Sequence, residues 1–125
     1  MEELIQRVVA STGIDAGIAQ KAVGMILSFL HKEGPSDHVG ELMNVIPGSH
    51  EAVAESSGGG GLMGMASSLM GGGVMGLGAK LMGAGVSMDQ IGGIGKELFA
   101  YGREKAGEDV IGGIVGHIPG LDKFV

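Results

Sequence analysis

The sequence predicts an all-α fold: two pseudo-repeated three-helix units packed into one compact helical domain, with a Gly-rich connection between them. Three observations predict it. Apolar residues recur at helical spacing over most of the chain, alternating β-branched and polar runs are absent, and one constant offset of seventy-two residues relates the two ends. Gly13 precedes Gly85 by that offset, as Ile46-Pro47-Gly48 precedes Ile118-Pro119-Gly120. Sliding residues 13–53 onto 85–125 adds Asp37/Asp109, Gly40/Gly112 and Val53/Val125, seven identities in all. Glycine matches weigh little in a chain with 27 glycines. The apolar pairs Ile14/Val86, Ile26/Leu98, Phe29/Tyr101, Val39/Ile111, Leu42/Ile114 and Met43/Val115 weigh more, because two copies of one unit would use them at equivalent core positions. The first unit is then residues 3–53, the connection 56–61, and the second unit 62–125.

Taken in order, Leu4, Ile5, Val8 and Val9 make roughly residues 3–11 a short amphipathic helix ended by Thr12-Gly13. Asp15 caps a longer one. Over 16–32 the stripe Ile18, Ala22, Met25, Ile26, Phe29 and Leu30 faces inward, leaving Gln20, Lys21 and Lys32 wet, and Gly34-Pro35 stops the helix. Ser36 or Asp37 caps a third helix carrying Val39, Leu42, Met43 and Ile46, closed by Pro47-Gly48, and Ser49 has the chemistry to cap one more turn through Val53. In the second copy, Ser87 and Gln90 form a capping box. A long helix follows through Ile91, Ile94, Leu98, Phe99 and Tyr101, a turn falls near Ala106-Gly107, and a last helix through Val110, Ile111, Ile114 and Val115 reaches Ile118-Pro119-Gly120.

The connecting region differs in kind. From Ser56 to Met88 the only charge is Lys80, and Gly58-Gly59-Gly60-Gly61 reads as a linker. Small residues then fall at every fourth position, at Gly60, Gly64, Ser68, Gly72 and Gly76, a stripe on which another helix can approach closely. Each interior glycine costs about 1 kcal/mol of helix relative to Ala, so packing must stabilise this segment, and a break at Gly71-Gly72-Gly73 predicts short helices over 62–70 and 74–83.

Composition narrows the function classes. At 125 residues, with 44% hydrophobic residues, the chain builds one core. It fills that core with aliphatic residues and nine methionines, having no Trp, one Tyr and three Phe. A net charge of −6, with Arg7 and Arg103 the only arginines, argues against nucleic acid. Zero cysteines exclude thiol chemistry and suit a reducing cytoplasm, and the acidic opening Met1-Glu2-Glu3-Leu4 lacks the basic start of an export signal. The expected location is therefore cytoplasmic.

The remaining constellations point away from catalysis. His31, Glu33, Asp37 and His38 surround one turn without the i, i+4 histidine spacing of a zinc helix, and read as a solvated turn. His50 and His117 lie near the two Ile-Pro-Gly corners without being repeat equivalents, and Glu2, Glu3, Glu104, Glu108 and Asp109 read as a solvated acidic rim. The glycine runs lack the strand and the Gly-Lys-Ser/Thr of a phosphate loop. No catalytic residue, metal ligand or cofactor is assigned, and the chain is read as no enzyme. Between Gly61 and Ala79 seven glycines dilute ten apolar residues, too few for a spanning helix.

Gly13-Ile14-Asp15, Ala22 with Val23 to Leu30, Val39 to Pro47-Gly48, the Gly-rich middle and the second Gly-Val-Ser helix start resemble the small bacterial proteins labelled VcgC/VcgE-like, with YidB-like and other helical domains related in look. The resemblance covers nearly the whole chain, which departs from it by using Met where the family often shows Leu or Ala. It implies two helical units around a glycine-, leucine- and alanine-rich stretch, and no activity. The expected function is a non-enzymatic protein–protein interaction or homo-oligomerisation module, with Gly64, Ser68, Gly72, Gly76, Met63, Met70 and Met75 as its contact surface. Two other uses of the segment 60–85 stand beside it. One is membrane or lipid association; the other is a carrier of a small apolar ligand in a cavity lined by Met63, Met70, Met75 and Leu98.

Overall fold

A computed structural model of the chain describes residues 2–46, 48, 51, 73–118 and 121–124, with the side chains of 73–75, 123 and 124 left undescribed. The helix expected over 62–70, the Ser49 cap and both prolines of the Ile-Pro-Gly corners lie outside the described residues. All regular structure within them is helical, with no strand.

Helix α1 spans Glu2–Thr12 and sets its two glutamates in the first turn, where unpaired N–H groups favour negative charge. It stops at Gly13, whose φ of 75° is left-handed and whose N–H reaches the Val9 carbonyl at 2.8 Å. Helix α2, Ala16–Glu33, begins as expected at Asp15, whose carboxylate accepts the Gly17 N–H at 3.0 Å. Its buried face is wider than the predicted stripe. Ala19, Val23, Gly24 and Leu27 are buried with Ala22, Ile26 and Leu30, while Ile18, Met25 and Phe29 are only partly covered. The reason is position: α2 is packed by helices on several sides, and a helix in that situation buries more than one stripe.

Helix α3, Ser36–Val45, corrects the expected cap, since Pro35 occupies the N-cap position with no side-chain hydrogen bond and Ser36 is already helical. Proline has no N–H, so its fixed φ of −67° directs entry into the helix instead. Helix α4, Gly73–Gly83, matches the second helix predicted after the glycine break. Helix α5, Met88–Ala106, opens with the predicted capping box: the Ser87 N–H donates to Gln90 Oε1 at 3.0 Å, and the Gln90 N–H donates to Ser87 Oγ at 3.4 Å. Gly107, at φ 103°, ends α5 and starts α6, Glu108–His117. A 3₁₀ turn, Leu121–Phe124, follows and sinks Leu121 into the core. No capping or periodic signal in the sequence predicts that turn.

The packing interleaves the chain. The most extensive helix pair is α1 on α5, and α4 in turn lies on α2; α3 packs on α6 and α5, and the long helices α2 and α5 touch. One continuous core results, with Leu4, Val8, Val23, Leu27, Leu30, Leu42, Leu81, Ile94, Leu98, Phe99, Ile111 and Ile114 at its centre. Glycine permits the closest approaches. A Cβ at Gly93 would stand 2.7 Å from Thr12 Cγ2, and one at Gly102 would stand 2.7 Å from both Leu42 and Ile111 Cδ1.

Candidate functional site

The core positions of α4 decide what it presents outward. Leu77 and Leu81 are buried with Gly76, so helical periodicity turns Ala79, Lys80, Met82 and Gly83 to solvent. Val86, 2% exposed, then pins the following corner, its N–H bonded to the Leu81 carbonyl at 3.1 Å. Gly85 makes the corner possible with φ 103°. Met88 follows the corner as the first residue of α5. Met82 and Met88, at 53% and 64%, are the exposed large apolar residues among those described. The corner thus offers polarizable thioether surface on a pinned backbone, with Lys80 and Asp89 as the exposed charges beside it.

Of the residues predicted to form the contact surface, Gly64, Ser68, Gly72, Met63 and Met70 lie outside the described residues. Gly76 is buried on the inner side of α4, and Met75 lies in the same helix with its side chain undescribed. Leu98, assigned to a ligand cavity, is fully buried. Beside it in the core, Ile26, Leu77, Leu81, Ile91, Gly95, Phe99 and Leu121 enclose a space of about 10 Å³, room for hardly one water. Among the described residues no three His, Asp or Glu side chains converge as metal ligands. No single described helix is long and apolar enough to cross a membrane.

A second cluster joins α1 to α5. The Arg7 guanidinium pairs with Glu104 and, at 3.4 Å, with Glu97, and sits 5.7 Å above the Tyr101 ring; Lys105 approaches the same ring at 5.7 Å. The Glu104 hydrogen bond raises the Arg7 pKa above its ordinary value, against partial desolvation and with help from the charges of Glu104 and Glu97. Glu104 lies on the solvated rim as expected, its side chain 60% exposed, and is in addition the ion-pair partner of Arg7. The signal was present in the spacing, since Glu97, Tyr101 and Glu104 fall at i, i+4 and i+7 on one helix face. His38 fills another contact: a Cβ at Gly113 would stand 2.7 Å from its Cδ2, and its Nδ1 is buried without a hydrogen bond, 3.9 Å from Glu41.

No family model, curated protein or solved structure matches this chain. The site is therefore read from its own geometry. A charge-poor corner with two exposed methionines can bury apolar area against a partner, and the Arg7 cluster holds the neighbouring helix in place.

Proposed function

We propose that this protein is a non-enzymatic interaction module of the cytoplasm that self-associates through segment 60–85 extended by the Met82/Met88 corner. The observation that carries the reading is the exposure of Met82, near the end of α4, and Met88, the first residue of α5, on either side of one pinned turn, with Lys80 the only charge on α4. A second copy supplies a matching charge-poor face, and thioethers adapt to an irregular partner surface.

The fold is read as two pseudo-equivalent three-helix units, in keeping with the VcgC/VcgE-like resemblance. Supporting this, α3 and α6 begin and end seventy-two residues apart, α2 and α5 begin at that offset, and the left-handed glycines Gly13 and Gly85 repeat it. Ile46 and Ile118 also close their helices with similar extended backbones, φ −108° and −107°.

Light scattering across a concentration series tests the function. Self-association is expected, and Met82→Glu with Met88→Glu should weaken it by at least tenfold, about 1.4 kcal/mol, while leaving helical circular dichroism unchanged. A strict monomer at every concentration overturns the reading, as does association indifferent to both substitutions. A monomer that floats with zwitterionic vesicles assigns the corner to lipid instead.

A further inference from the structure

We propose that Met82 and Met88 are sites of reversible oxidation to methionine sulfoxide by hydroperoxide, and that oxidation there releases the self-associated form as folded monomer, a control that rests on the self-association reading above. Composition prepares it. The chain has nine methionines, no cysteine and no Trp, so the thioether is its most readily oxidised side chain. Of the four methionines whose side chains are described, Met43 is buried at 3% and Met25 is partly covered by the core, while Met82 and Met88 stand 53% and 64% exposed. Peroxide dissolved in water meets the two corner thioethers first.

The reaction needs no third component. A sulfur lone pair attacks one oxygen of hydrogen peroxide, the O–O bond breaks as the S–O bond forms, and the departing hydroxide takes the proton left on the transferred oxygen. Sulfoxide and water result, sulfur losing the two electrons that peroxide gains. An apolar side chain thereby becomes a polar one. In water the new oxygen is solvated; carried into an apolar contact between two copies, it is stripped of water with no donor to replace it.

The fold around the corner depends on neither thioether. Backbone bonds hold the turn, from the Gly85 N–H to the Met82 carbonyl and from the Val86 N–H to the Leu81 carbonyl, both 3.1 Å, and the Ser87/Gln90 capping box closes it. Leu81 and Val86 anchor it in the core. Oxygen added outside these anchors changes what the corner presents and leaves the packing beneath it in place. An oxygen on buried Met43 would instead disrupt the core.

Full-length protein near its association midpoint is treated with hydrogen peroxide to partial oxidation and separated by size exclusion, and each fraction is mapped by peptide mass spectrometry. Met82 and Met88 are expected to oxidise at least tenfold faster than Met43, and their sulfoxides to be enriched at least tenfold in the monomer fraction, with helical circular dichroism unchanged. Treatment with two methionine sulfoxide reductases, one for each sulfoxide epimer, should return that fraction to the associated form. Oxidation of Met43 as fast as the corner, equal sulfoxide content in the two fractions, or release accompanied by loss of helix overturns the switch and leaves self-association standing. Protein that is monomeric before any peroxide is added overturns both. The variant Met82→Leu/Met88→Leu gives a second measurement: leucine has no sulfur, so peroxide should leave the variant's association constant, whatever its starting value, within about twofold. A variant that peroxide still dissociates tenfold assigns the effect to other methionines and overturns the inference.

Discussion

Gly93 and Gly112 sit on neighbouring helices and answer to opposite rules. At Gly93 a methyl group would meet Thr12 Cγ2 at 2.7 Å, and Thr12 cannot rotate away without losing its hydroxyl bond to the Val8 carbonyl. Gly93→Ala is expected to cost about 1–3 kcal/mol by urea denaturation, as overpacking does, and Thr12→Ser, which keeps the hydroxyl and removes the methyl, should recover most of it. Failure of that rescue would place the cost elsewhere. A Cβ at Gly112 meets nothing within 4 Å, and the residue is exposed within α6. Gly112→Ala should therefore stabilise by about 0.5–1 kcal/mol, because it removes backbone freedom from the unfolded chain at no steric cost. A loss of stability would show that this face is covered.

At the scale of the element, α1 depends on what α5 gives it. Gln90 donates from Nε2 to the Thr12 carbonyl at 3.5 Å, Gly93 admits Thr12, and the Arg7 cluster fastens the middle of the helix. Arg7→Ala should lower stability by about 1 kcal/mol, through lost cover on Tyr101 as well as lost ion pairs, whose side chains are 27% to 60% exposed. The raised Arg7 pKa is a basic group's gain, so its stabilisation holds below the ordinary guanidinium value and is lost only as pH rises past the folded one. Guanidinium deprotonation therefore adds no pH dependence near neutrality. Salt is the lever: the wild-type advantage over Arg7→Ala should shrink at about 1 M NaCl, where exposed charges are screened. An advantage that salt leaves unchanged would reduce Arg7 to packing.

The whole molecule is expected to unfold as one unit, because α1 completes α5 and α4 covers α2. Tyr101 is the only tyrosine, 3% exposed beside Arg7, and there is no Trp, so intrinsic fluorescence reports the contact between halves while circular dichroism reports all helices. The two urea curves should coincide. Separated midpoints would mean that the halves melt independently and that the shared core contributes little.

Helix identity was legible because it is local: Asp15, the Ser87/Gln90 box and Gly107 are terminal signals that act over a few residues. The Pro35 cap was missed because Ser36 and Asp37 beside it have the side chains that usually cap, and the Leu121–Phe124 turn because its four residues show no helical stripe. A glycine stripe does not say which side of α4 faces the core; Leu77 and Leu81, buried against α2 and α5, say it. By itself the sequence determined an all-α chain, most of the described helix ends and a seventy-two-residue offset, all of which follow from local periodicity and backbone chemistry. Tertiary structure alone decided that the halves interleave, that Arg7 binds Glu104 and that Met82 and Met88 stay outside. Pairing between distant helices depends on which faces fit, and that is a property of the packed whole.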